Sequence, residues 1–363
     1  MKPSDGTEDT EQSQETTEPP VIATRDQLEH VSELTTRLID ELRNIPDGDM
    51  VGEIIENSMK LLRDQTNRGD IKLINKSLKE LRYALKIFAP YRDVRKVSIF
   101  GSARTLEDHN DYRQAAEFAK KMATAGWMVI TGAGGGIMAA GHGGAGPDPS
   151  FGLAIRLPFE QATNKIIAND KKLINFKYFF TRKLMFVRSS HAIALFPGGF
   201  GTMDEGFEVL TLVQTGKSVP IPIVFVDSPG GDYWKQWQTY VDEQLVSRGL
   251  VGQHDSRLYK ITDDIDEAVR EVRHFYSNYH SLRYFRNEVI LRLHHPVEKA
   301  ELAEISRQFA DLAESGTFRA SEALAVERDE PALLELPRLV FRFNRRDHAR
   351  LRVLIDFLND LHK

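Results

Sequence analysis

The sequence predicts an α/β protein built on an open parallel sheet with helices on both faces. Three observations predict it. Between residues 93 and 280, short apolar runs alternate with stretches of helical periodicity, the pattern of successive βαβ units. Runs such as "VSIF", "WMVIT" and "IPIVFV" are continuously apolar, which suits strands buried on both faces. Three runs end in small residues, as "FGSA", "TGAGGG" and "PGGFGT". Together they describe a Rossmann-like sheet whose crevice lies beyond the carboxyl ends of its strands.

Taken in order, residues 1–24 are acidic, rich in Ser, Thr and Gln and poor in apolar side chains. Such a tail cannot offset its ordering entropy by burial and is expected to be disordered. Leu28, Val31, Leu34, Leu38 and Leu42 recur at spacings of three and four, so 25–45 is an amphipathic helix. Further helices are expected near 50–66 and 71–89, which makes 25–92 a helical N-terminal region. The central domain, 93–280, has five expected strands, at "VSIF", "WMVIT", "FGLAIRLPF", "HAIALF" and "IPIVFVD". Its helices are expected near 110–126, 136–146, 181–190, 202–216 and 232–248, with a last one in "TDDIDEAVREVRHFYSNY". Residues 281–363 form a small α/β unit: strands at "EVILRL" and "LVFRF", a third candidate at 318–326, and helices at 296–315 and 346–361.

The chain has 363 residues and a formal net charge of −5. The acidic balance argues against a nucleic-acid binder, which carries a basic excess on at least one domain. Cysteine is absent, which excludes a disulfide framework, a thiol nucleophile and a thiolate metal site. No apolar run reaches the ~20 residues of a membrane span, and the N-terminus lacks the apolar segment of a secretory signal. These features lead to the expectation of a cytoplasmic protein that binds no membrane.

The loop "PGGFGT" carries the clearest chemistry. Gly198, Gly199 and Gly201 let a ligand approach the backbone. The following helix, expected to start near Thr202, offers free amides and a positive dipole end to an anion. The Thr202 hydroxyl adds a donor, so the loop reads as a phosphate site. Gly101 and Ser102 of the first turn, and Gly134 and Gly135 of the second, are candidates to line the same crevice. The loop lacks the Lys-Ser/Thr of a P-loop. "TGAGGG" is followed at the next strand by Arg156, not by the acid that a dinucleotide ribose requires. Glu205 is expected in the first helical turn, where the dipole favours an acid. A neighbouring phosphate repels it, however, so it needs a separate task. Glu208 lies one turn on, roughly on the same face, and Asp204 is expected in solvent. Arg182 and Lys183 open the helix before this strand, and an arginine there would keep Glu205 ionised.

With those residues in view, "PGGFGTMDE" resembles the PGGxGTxxE signature of the Lonely Guy (LOG) family, and "RK" at 182–183 resembles its second motif. "GSA" at 101–103, "LPFEQATN" at 157–164 and "FEVLTLVQTGK" at 207–217 are similar to further blocks. The resemblance covers about 93–250. It implies a nucleoside 5′-monophosphate phosphoribohydrolase, which releases a free base and ribose 5-phosphate. It also implies that Arg182 and Glu205 are the catalytic pair, that Gly198, Gly199, Gly201 and Thr202 hold the phosphate, and that the protein is a homo-oligomer. Lys183 and Glu208 are further substrate-contact candidates. The second glycine loop departs from the family pattern: Ala133 stands for a glycine, Gly135 for a proline and Ala139 for an acid. This bears on the base contacts and not on the pair.

In that chemistry Glu205 stabilises an oxocarbenium-like ribose, orients its 2′-hydroxyl or activates water. No metal or cofactor is required: no His and carboxylate cluster has ligand spacing, and no pyridoxal-lysine context supports the decarboxylase label that some family members carry. The competing readings are a non-catalytic nucleotide or cofactor binder of the same fold, an NAD-linked oxidoreductase, and a scaffold whose end domains do the work. "RFNRRDHARLR" (342–352) is locally basic. It reads as a solvated helix face over Leu351, Leu354, Ile355 and Leu358, or else as an anion contact.

Overall fold

The computed structural model describes residues 24–157 and 163–362. The expected disordered tail lies outside these residues, apart from Thr24, and so do five positions within and after "LPF". The chain divides into two compact units, one ending at Lys76 and one starting at Ser77.

The first unit contains α1 (Arg25–Leu42) and α2 (Gly48–Arg63). Thr24 caps α1 in a capping box: its hydroxyl accepts from the Gln27 amide at 3.3 Å, and the Gln27 side chain accepts from the Thr24 amide at 2.9 Å. "IPDGD" forms the break between the helices, with Asp47 in the left-handed region. α3 (Arg68–Phe88) spans the border between the units.

The second unit holds a seven-stranded parallel sheet. Its strands are β1 (Lys96–Phe100), β2 (Met128–Thr131), β3 (Ser150–Ile155), β4 (Leu173–Phe176), β5 (Ala192–Leu195), β6 (Ile223–Val226) and β7 (Lys260–Thr262). They lie in the order β4-β3-β2-β1-β5-β6-β7. The chain first winds outward from β1 and then returns to its other side at β5, so the strand order reverses between β1 and β5. Between the strands run α4 (Asn110–Thr124), α5 (Ile137–Ala145), α6 (Phe179–Ser189), α7 (Phe200–Gln214), α8 (Tyr233–Tyr240) and α9 (Ile265–His274).

Although the strands are mostly apolar, alternate residues face opposite layers. Val97, Ile99, Ala192, Ala194, Val224 and Val226 pack with α4, α5 and α9. Phe100, Ile193, Leu195, Ile223 and Phe225 pack with α3, α6, α7 and α8. The fold is therefore an α/β doubly wound sheet, as the alternation of runs predicted.

Two sheet strands are additional to the five expected. β4 is only four residues long and β7 three, with Lys260 and Thr262 in it; such short edge strands leave little apolar signal. The helix expected over 232–248 is α-helical to Tyr240 and continues as a π-helical turn, Val241–Val246.

The C-terminal sheet comprises β8 (Tyr279–Phe285), β9 (Glu288–Leu293), β10 (Ala313–Ser321) and β11 (Arg338–Phe343), antiparallel in the order β10-β11-β9-β8. α10 (Lys299–Gln308) and α11 (His348–Asp360) pack on one face of it. β8 was not foreseen, because "NYHSLRYF" is half-buried and follows α9 without a break. The helix expected to reach 315 stops at Gln308, and the third strand starts earlier than 318, at Ala313. Leu351, Leu354, Ile355 and Leu358 of α11 are buried. Arg350 of the basic stretch pairs with Asp311 at 3.1 Å and Arg352 with Asp356 at 2.8 Å, so these two charges are spent within the chain.

Candidate active site

The three glycine-bearing turns meet at the carboxyl edge of β1, β2 and β5, where the strand order reverses. They line a cavity of about 790 Å³, the position at which open parallel sheets bind ligands. Ser102 ties the turns together. Its amide donates to Pro197 O at 3.0 Å, and its carbonyl accepts from the Ile137 amide at 3.0 Å. Gly198 is close-packed here. A Cβ at that position would sit 2.9 Å from the Ser102 amide nitrogen and collide with the Thr202 hydroxyl.

α7 starts at Phe200, two residues before the expected start at Thr202, with Gly199 as an N-cap that no side chain satisfies. The Phe200 and Gly201 amides are therefore open to an anion, while the Thr202 amide donates to Gly199 O at 3.0 Å. Thr202 lies in that first turn. Glu205, expected there too, lies in the second turn, and the first turn holds no acid. This removes the helix-end explanation for Glu205, because the dipole's influence is confined to the terminal turn.

Glu205 is 6% exposed and lines the cavity. Its Oε2 is buried and has no hydrogen-bond partner among the described residues. Burial raises its pKa, with Glu208 and Asp204 adding to the rise and Lys183 and Arg182 opposing it. Arg182 also lines the cavity and donates from Nε to Leu153 O at 2.8 Å. Its guanidinium lies where a side chain at Gly132 would be, which is why that position is a glycine. Burial lowers the Arg182 pKa and Glu205 opposes this. The cation in ion-pair contact with Glu205 is Lys183, at 3.6 Å. Lys183 also reaches Asp204 at 3.0 Å and Glu208 at 2.5 Å. Burial lowers the Lys183 pKa, but hydrogen bonds to Glu208 and Asp204 outweigh it and hold the ammonium above its ordinary value. Asp204, expected free in solvent, is thus held by Lys183 while more than half exposed.

Gly101, Ser102, Gly198, Gly199, Gly201, Thr202, Arg182 and Glu205 all line the cavity. Lys183 and Glu208 stand behind Glu205, outside the lining. Gly134 and Gly135 are also outside it, and the second turn contributes Gly132 and Met138 instead. That turn is fixed from below. Asn164 donates from Nδ2 to Gly134 O and to His142 Nδ1, both at 3.0 Å, and the His142 Nε2 faces Phe151 O at 3.0 Å. Burial lowers the His142 pKa, which keeps the ring neutral. Ala133 sits at φ +65°, a conformation that costs an alanine about 1–2 kcal/mol.

Sequence reasoning missed four further contributors. Tyr233 lines the cavity, and its hydroxyl donates to Gly198 O at 2.5 Å. Arg104 lines it with an exposed side chain. Phe179 lines it from the start of α6. Glu80 of α3 accepts from the Lys177 amide at 2.8 Å and from the Thr181 hydroxyl at 2.7 Å, which fixes the start of the helix that carries Arg182. Only Arg104 had a local signal, as the charge that follows "GSA".

Residues 136–272 match the family model described as "Possible lysine decarboxylase". A 95-residue stretch is 28% identical to the cytokinin riboside 5′-monophosphate phosphoribohydrolase LOG7 of Arabidopsis thaliana, covering 26% of this chain and 42% of that protein. The match thus spans less than half the length of this curated relative. Among solved structures, the molybdenum cofactor carrier protein of Chlamydomonas reinhardtii aligns with a TM-score of 0.35 and 20% identity, over 50% of this chain and 96% of that one. The molybdenum cofactor binding protein of Rippkaea orientalis aligns with a TM-score of 0.36 and 17% identity, over 50% and 94%. No ligand of this chain follows from likenesses so low. The family model spans the segment that carries "PGGFGTMDE" and the Arg182–Lys183 pair, and over that segment the chain is similar to the Lonely Guy family.

Proposed function

We propose that the protein hydrolyses the N-glycosidic bond of nucleoside 5′-monophosphates, releasing free base and ribose 5-phosphate. The observation that carries this reading is Glu205: a buried carboxylate, with one oxygen free of hydrogen bonds among the described residues, in the same cavity as a glycine-lined helix start without a side-chain cap. The Gly198–Thr202 loop takes the 5′-phosphate and supplies remote binding energy that holds the sugar. This directs the ribose toward Glu205. As the C1′–N bond breaks, positive charge develops on the ribose, and the carboxylate stabilises it. Water adds its oxygen to C1′, and one of its protons leaves with the base. Lys183, flanked by three carboxylates, positions Glu205 and favours its ionised form. Arg182 adds positive charge at the cavity wall, and the exposed Arg104 adds a second cation to the lining. The name of the Arabidopsis relative supports the same reaction class.

The reading is tested by comparing adenosine monophosphate with adenosine. The expected result is a kcat/KM at least about 10³-fold lower for the nucleoside, because phosphate binding energy is spent on positioning the sugar. Equal rates would contradict it.

Two variants probe the parts separately. Gly198→Ala forces the loop away from Thr202 and Ser102. It is expected to weaken nucleotide affinity at least tenfold and to destabilise the fold by about 1–3 kcal/mol, as read by calorimetry and thermal melting. Lys183→Met removes a cation that lowers the Glu205 pKa. Glu205 acts as an anion, so activity falls as pH drops through its pKa. Without Lys183 that pKa rises further, and the acid limb of the pH–rate profile moves to higher pH. An unmoved limb would show that a different group sets it.

We also infer that the protein is a homo-oligomer. Phe180, Leu184 and Phe207 leave a large apolar area exposed on α6 and α7. Light scattering that returned the monomer mass would contradict this.

A further inference from the structure

The lining of the cavity contains two aromatic rings that folding does not explain. Phe200, the first residue of α7, is 96% exposed, and Phe179, the first residue of α6, is 54% exposed. Both line the cavity that contains Arg182 and Glu205. Neither belongs to a hydrophobic core cluster of the described residues, so neither ring gains stability from burial. An exposed phenyl at a ligand cavity is a surface on which a nucleobase stacks, and such stacking tolerates every base because every base has a π-face.

Most polar side chains of the lining have another task in this reading. Ser102 and Thr202 are assigned above to the phosphate, and Arg182 and Glu205 to the ribose. The Tyr233 hydroxyl is bonded to Gly198 O, and Asp204 is held by Lys183. Among the described residues no Asn, Gln or His lines the cavity. Asn and Gln are side chains that read a base edge through paired hydrogen bonds.

We propose that Phe200 and Phe179 form the stacking surface for the base, so that the site selects nucleotides by ring area and not by base edge. The substrate class is then purine nucleoside monophosphates as a group, with pyrimidine nucleotides bound more weakly. This rests on the assignment of the Gly198–Thr202 loop to the 5′-phosphate.

The test measures affinities by calorimetry in the Glu205→Gln background, where nucleotides survive, using adenosine, guanosine and uridine monophosphates and ribose 5-phosphate. Adenosine and guanosine monophosphates are expected to bind within about tenfold of each other, and uridine monophosphate more weakly than both. Phe200→Ala weakens the two purine nucleotides by about 5- to 100-fold and leaves ribose 5-phosphate, which has no base, within about twofold. Phe200→Trp restores purine binding, and Phe179→Ala gives a second, independent loss. Three results would overturn the proposal. One is equal weakening of ribose 5-phosphate, which makes the ring a support of the loop. Another is intact nucleotide affinity with a changed sedimentation coefficient, which makes it a subunit contact. The third is more than 100-fold discrimination between adenosine and guanosine monophosphates, which requires edge reading. These binding results stay readable even if the wild-type protein releases no base. That outcome would count against hydrolysis alone.

Discussion

Glu205→Gln lowers base release by a factor of about 10²–10⁴, the range for loss of a positioned carboxylate, and leaves nucleoside monophosphate affinity within a few-fold. Glutamine keeps the shape and removes the charge, so the phosphate loop and the cavity walls are retained. The same variant is expected to melt at a higher temperature than the wild type at neutral pH. Burial raises the Glu205 pKa in the folded protein. A raised carboxylate favours folding most below its unfolded pKa, and that contribution is lost as pH rises through the folded value. At neutral pH the wild type therefore carries a buried charge at a cost, and the amide removes it. Gain of stability with loss of turnover marks a residue kept for chemistry. Loss of both, on melting curves and chromatography, would instead make Glu205 a structural group.

The largest effect on stability is expected far from the cavity. Glu327 is fully buried behind the C-terminal sheet between two buried arginines. It accepts from Arg292 at 2.7 Å and from Arg338 at 3.2 Å, and also from the Leu324 amide at 3.0 Å. Arg292 and Arg338 are partners on neighbouring strands, and Glu327 bridges them; Arg292 also pairs with Glu330, and Arg338 donates to Leu333 O at 2.8 Å. Glu327→Ala removes the charge that the two arginines share, at a cost of about 3 kcal/mol, the low end for a broken buried pair because each arginine keeps another partner. The melting temperature should fall by on the order of 10 °C. Burial alone would raise the Glu327 pKa, but the Leu324 amide and the two arginines outweigh it and hold the group below its ordinary value. Its contribution is therefore present above the unfolded Glu pKa and is lost as pH falls through the lower folded value. The wild-type and variant melting curves should converge in acid. A melting temperature unchanged at neutral pH would show that solvent reaches the arginines.

The central sheet was legible because its inner strands are short, mostly apolar and punctuated by glycine. β4 and β7 were not, since an edge strand of three or four residues needs little apolar surface. The convergence of Gly101, Ser102, Gly198, Thr202, Arg182 and Glu205 on one cavity followed from strand-end logic plus two motifs. The turn in which Glu205 sits did not, because Phe200 and Gly201 are helical although a glycine-rich run reads as loop. Tyr233 reaches Gly198 from 35 positions away and Glu80 reaches Thr181 across 101. Contacts at such separations have no local pattern. Lys183 was foreseen beside Arg182. Its role as the cation nearest Glu205 depends on the helical phase of α6 against α7, which only packing decides.

The most direct measurement of the central claim is the product balance. Purified protein is incubated with purine and pyrimidine nucleoside monophosphates and the matching nucleosides, and free base and ribose 5-phosphate are quantified by chromatography. The monophosphates are expected to give one equivalent of each product, and the nucleosides to release base at least about 10³-fold less efficiently. Tight monophosphate binding with neither product formed would contradict this and leave a nucleotide-binding protein.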